Sequence, residues 1–165
     1  MRNTLLILCA AWQLLVLPKA WTQEEQPPRN PSLFEYLHSQ TDNIPVWELD
    51  TDWSSLVKGK MNEKYQPGVL HFEHTDGQKV KWDIKLRARG NMRKQVCHFP
   101  PVKLKLPKEG LSALGLNPGS NDLKMVLQCR SGGLEAEWLL KEWIAYQIYE
   151  CVSPAAFRTK IVQIQ

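Results

Sequence analysis

Cysteine is scarce in this sequence of 165 residues: there are four, and no two stand in a C-x-x-C spacing. A zinc ribbon or a thioredoxin-type redox site therefore has no motif to rest on. Charge of one sign is lacking too, since 21 Lys and Arg face 17 Asp and Glu. That excess is too small for net charge to mark a polyanion partner. No G-x-S-x-G hydrolase turn and no G-x-x-x-x-G-K-[ST] phosphate loop occurs. His71 and His74 lie three apart in a strand pattern, on opposite faces, so a shared metal is not expected. What is present, 43% hydrophobic and 23% charged residues, is close to the globular average. It excludes a disordered tail, a collagen-like fibre and a multi-pass membrane protein, and leaves room for one domain.

Residues 1–22 carry Arg2, the apolar stretch Leu5 to Leu17, and Pro18 to Thr22. This reads as a secretory signal, cleaved after Thr22 with Ala20 at the third position back. An apolar core of about 13 residues is short of the roughly 20 that span a bilayer, so no permanent anchor is expected. The protein is placed outside the cytoplasm, secreted or periplasmic. There Cys97, Cys129 and Cys151 meet oxidising conditions. Cys97 with Cys129 is the favoured disulfide, because each flanks a predicted strand, while Cys151 ends an apolar helix. Three buried thiols are the alternative.

Residues 23–44 open with the proline-rich Gln23 to Pro31 and read as a flexible leader ahead of a single domain, 45–165. Val46 to Asp50 alternates as a strand, and Asp52 caps a short helix through Val57. Val69 to His74 and Lys79 to Arg89 form a hairpin around Thr75-Asp76-Gly77-Gln78. Keeping apolar faces together sets Phe72 opposite Trp82 and Leu70 opposite Ile84, with a three-residue loop from Asp76 to Gln78. Val102 to Leu106 and Leu123 to Leu127 alternate as further strands, joined by a loop with turns over Gly110 to Asn121. Leu134 to Val152 is the only long helix, ended by Pro154, and Phe157 to Gln165 reads as a last strand. The fold class is α+β, a mostly antiparallel sheet of about five strands packed on one long C-terminal helix.

Residues 79–108 hold ten basic and one acidic side chain, whereas residues 23–78 hold four and ten. Alternation aligns Lys79, Lys81, Lys85, Arg87 and Arg89 on one strand face, and Lys103 and Lys105 on another strand. Like charges on neighbouring strands call for a counter-charge: the acidic N-terminal segment, an anionic ligand, or solvent. Nucleic acid is not expected, because no aromatics for base stacking are interleaved with the cations. The long helix is apolar almost all round, which predicts burial on more than one side, with another layer of the chain, another protein chain or a missing stretch of protein covering it. Glu142 lies among its apolar residues and is expected to face water at a gap or to pair with a cation.

Leu86-Arg87-Ala88-Arg89-Gly90-Asn91, Lys103-Leu104-Lys105-Leu106, Leu123-Lys124-Met125-Val126-Leu127, Leu139-Leu140-Lys141-Glu142-Trp143-Ile144-Ala145-Tyr146 and Ala156 to Val162 follow in that order. Together they resemble the spore-coat CotH-like family of atypical protein kinases. Cys97-His98-Phe99-Pro100-Pro101 and Cys129 are similar to steps in that family's secreted, uncharacterised Bacteroidetes-type members. The resemblance covers Trp47 to Gln165 and implies a kinase-like N-terminal lobe. It implies Lys103 or Lys105 as a phosphate-contacting lysine, Glu142 as the glutamate that orients it, and Arg87, Arg89 and Asn91 as anion contacts. No catalytic residue is implied. The acids that hold magnesium and the base of a kinase belong to a second lobe, and the domain is expected to be truncated relative to the family. No cofactor is expected, ATP and magnesium entering only with that second lobe. The expected function is a CotH-like domain, non-catalytic alone, with an anion-binding or protein-interaction module as the alternative and a kinase remnant third.

Overall fold

A computed structural model describes residues 29–40, 44–131 and 133–165. The expected signal segment lies outside these residues. The described chain runs α1 (Leu33–Ser39), β1 (Val46–Thr51), α2 (Trp53–Lys58), β2 (Gln66–Glu73), β3 (Lys79–Ala88), α3 (Met92–Val96), β4 (Val102–Lys105), α4 (Lys108–Ala113), β5 (Asp122–Met125), α5 (Gly133–Val152) and β6 (Gln163–Ile164). The strands form one sheet in the order β5-β4-β3-β2-β1-β6, antiparallel throughout except where β6 runs parallel to β1. The α+β class and the C-terminal helix are as expected. Of the anticipated last strand only Gln163–Ile164 is strand, and Gln165 continues the backbone hydrogen bonds to Trp47 and Leu49.

Period-2 alternation builds one apolar face. Trp47 and Leu49 of β1, Leu70 and Phe72 of β2, every even residue of β3 from Val80 to Ala88, and Val102 and Leu104 of β4 are buried on it. The register keeps these residues beside one another, with Trp47 opposite Phe72, Leu70 opposite Trp82 and Leu86 opposite Leu104. The β2–β3 hairpin thus pairs two residues out of the expected register, with Phe72 opposite Val80 instead of Trp82. An even slip preserves both faces, so face matching alone could not detect it. The loop has three residues as expected but is Thr75 to Gly77: His74 donates its amide to the Gln78 carbonyl at 2.8 Å, and Gly77 takes φ +81°. That left-handed position suits glycine and fixes where the hairpin closes.

Two segments expected to be irregular are helical. Within the expected leader, α1 inserts Leu33 and Leu37 into the core. Its start is a capping box: the Ser32 hydroxyl accepts the Glu35 amide at 3.1 Å, and the Glu35 carboxylate accepts the Ser32 amide at 2.8 Å. The other, α4, lies in the expected Gly110–Asn121 loop. Gly110 sits against the Trp82 indole, where a Cβ would lie 2.5 Å from Nε1. Here glycine serves close approach rather than a turn, and Leu111 and Leu116 are buried beside it in the core.

The Cys97–Cys129 disulfide forms as expected, with Cα atoms 4.6 Å apart, and Cys151 is a free, exposed thiol. The edge strands β5 and β6 both line one cavity of about 720 Å³, so the sheet curls its ends toward each other around the apolar face. Leu139, Glu142, Trp143 and Tyr146 of α5 line that cavity. The helix is otherwise far less covered than its composition predicts, for none of its described residues is fully buried. No helix among the described residues is long and apolar enough to cross a membrane.

Candidate anion-binding face

Burying the even side chains of β3 forces its odd ones outward. Lys79, Lys81, Asp83, Lys85 and Arg87 therefore share the polar face of the sheet. Strand pairing carries that face across β4 and β5. Lys85 lies opposite Lys105, Arg87 opposite Lys103, and Lys103 opposite Lys124. Five cations thus occupy three adjacent strands, separated by about 5 Å across the sheet and about 7 Å along a strand.

The protein neutralises only part of this face. Asp122 places Oδ2 at 2.8 Å from the Lys103 ammonium and raises that lysine's pKa above its ordinary value. Glu63 reaches the Arg87 guanidinium at 3.1 Å and the Lys94 ammonium at 2.8 Å. The hydrogen bond from Lys94 and its charge, followed by the charge of Arg87, hold the Glu63 carboxyl below its usual range. Lys94 is 6% exposed, and this pairing explains how a charge tolerates that position. Among the described residues, Lys79, Lys81, Lys85, Lys105 and Lys124 have no carboxylate within ion-pair distance.

Of the candidate anion contacts, Arg87, Lys103 and Lys105 are brought together. Arg89 follows the end of β3, its amide donating to the Pro101 carbonyl, and Asn91 is exposed at the start of α3 without a side-chain capping bond. Lys124 was not among the candidates. Its outward place in the Leu123-Lys124-Met125 alternation was visible, but its position beside Lys103 follows only from β4–β5 register.

The expected lysine–glutamate pair is not formed, which corrects the role inferred for Glu142. Helix α5 lies over the apolar face, whereas Lys103 and Lys105 project from the other. Glu142 instead accepts a hydrogen bond from Arg93 Nη2 at 2.6 Å. These residues therefore do not fit ATP and magnesium as a kinase-like lobe would hold them. An H-x-D triplet of the kinase catalytic kind is not expected, yet the sequence holds one in His74-Thr75-Asp76; His74 closes the hairpin and Asp76 lies in its loop, with Oδ1 accepting the Gln78 amide at 2.9 Å. Among the described residues no group of three His, Cys, Asp or Glu side chains is placed to share a metal ion.

No known protein family, curated protein or solved structure matches the chain. Function must therefore be read from the face itself.

Proposed function

We propose that this chain is a CotH-like domain without phosphotransfer chemistry of its own, acting outside the cytoplasm as an anion-binding module. The observation that carries this reading is the repetition of cations on β3, β4 and β5, where Lys85 faces Lys105, Arg87 faces Lys103 and Lys103 faces Lys124, while Asp122 stands opposite Lys105. Like charges across a ladder oppose pairing, and an anionic ligand lying on the strands relieves that repulsion. Cations repeating every 5–7 Å or so suit an extended polymer with regularly spaced anionic groups, such as a sulfated or carboxylated glycan. The Cys97–Cys129 disulfide supports an oxidising compartment, where such glycans occur.

Titration with a sulfated polysaccharide tests this. Binding should weaken steeply with salt, and the Lys85→Glu/Lys105→Glu variant should lose about tenfold or more in affinity at low salt. Both side chains are exposed, so the fold should persist. The reading fails if the charge-reversed variant binds equally well. It fails also if ATP with magnesium binds and Lys105→Ala abolishes that binding, an outcome that would restore the kinase-derived site.

A further inference from the structure

Helix α5 shows solvent an apolar surface that folded chains ordinarily cover. Leu134, Trp138, Ile148 and Val152 are 73%, 65%, 62% and 73% exposed. With Lys141 and Ala145 they recur at intervals of four, three, four, three and four residues, the spacing that holds one stripe of a helix toward a partner helix. We propose that two copies of the chain associate through this stripe, α5 against α5 and antiparallel, about a two-fold axis.

Both the partner and the direction follow from the stripe. Its intervals are unchanged when read backwards, so two antiparallel copies bring each stripe position against another of the same stripe, as an isologous contact requires, with the exposed Ile144 and Tyr149 at its flanks. Antiparallel alignment sets Leu134 against Val152, Trp138 against Ile148 and Lys141 against Ala145. Parallel alignment would set Lys141 against Lys141 and Trp138 against Trp138, opposing two like charges and two bulky rings. In the antiparallel seam the small Ala145 leaves room for the lysine stem. The Lys141 ammonium already leans over the Trp138 ring, 4.9 Å from its centroid, and pairs with Glu137 at 2.7 Å. Its charge can stay at the rim while its methylenes cover apolar surface. The side of α5 that carries Leu139, Trp143 and Tyr146 is turned to the protein's own cavity and leaves the stripe available. Antiparallel helices also set their macrodipoles in opposition.

The test is light scattering on the purified chain carrying Cys151→Ser, so that no interchain disulfide contributes. A concentration-dependent dimer is expected. Trp138→Lys and Ile148→Glu should each weaken it by about tenfold or more, with the circular dichroism spectrum unchanged because both side chains are exposed. An equimolar mixture of these two variants should recover the dimer, since the introduced ammonium of one copy meets the introduced carboxylate of the other. A chain that stays monomeric, a dimer indifferent to both substitutions, or a mixture that does not recover would each overturn the proposal. The first result is also the one expected if a different protein covers the stripe.

Discussion

Replacing Cys97 and Cys129 together by alanine removes a covalent tie between residues 32 apart in sequence, closing a loop that contains β4, α4 and β5. Restricting an unfolded chain over such a loop is worth roughly 3.5–4 kcal/mol in the chain-entropy account. Cys97 is buried, so the lost sulfur adds a small void and about 1 kcal/mol more. Domains of ordinary size hold about 5–15 kcal/mol in total, so the variant should keep its fold only narrowly. Urea unfolding checks this against the oxidised protein. The midpoint should fall, and the slope should rise, because an unfolded chain without the tie exposes more surface. Thermal unfolding should drop by about 10 °C or more. A loss below about 1 kcal/mol with an unchanged slope would refute the reasoning, since it would mean that segment 97–129 is equally restricted without the bond.

Gly110→Ala should destabilise by about 1–3 kcal/mol in thermal or urea unfolding, because the added methyl meets the Trp82 indole within the core. Alanine is the better helix former by about 1 kcal/mol, so a stabilised variant would show that the close approach is absent. Acid should also weaken the fold. The Ser32 amide and hydroxyl lower the Glu35 pKa, the Ser55 hydroxyl and amide lower that of Asp52, and Lys94 lowers that of Glu63. Folded values below the unfolded ones give stability that is complete above the ordinary values of 4.5 for Glu and 3.8 for Asp and is lost as pH falls through the depressed ones. Melting temperature should therefore fall between pH 5 and pH 2, approximately, and fall less in Glu63→Gln. An identical fall in that variant would show that the Lys94 contact contributes nothing.

Much of the sheet was legible because alternation is a local property. Val80 to Ala88 and Val102 to Leu104 declare their buried faces without reference to the rest of the chain, and Asp52 declares its cap: its carboxylate accepts the Ser55 amide at 2.9 Å. The Cys97–Cys129 pairing was legible for a related reason, since both residues flank strands that the alternation already placed. The start of α1 was legible as well, in Ser32 and Glu35 three residues apart, but the prolines before it directed the reading toward a leader. Helix α4 was obscured differently. Gly110 reads as a breaker, and its purpose appears only when the Trp82 ring is seen against it.

Sequence alone settled which side chains share a face, where most strands lie and that the helix from Leu134 is apolar nearly all round, because these are periodicities of a few residues. Tertiary structure decided the rest: hairpin register, the meeting of Lys103 with Lys124, and which side of the sheet α5 faces. Alternation is blind to an even slip, and nothing within a helix specifies the face it packs against. Long-range pairing across the sheet therefore set Arg87, Lys103 and Lys105 on one face, and the placement of α5 set Glu142 on the other, beside Arg93.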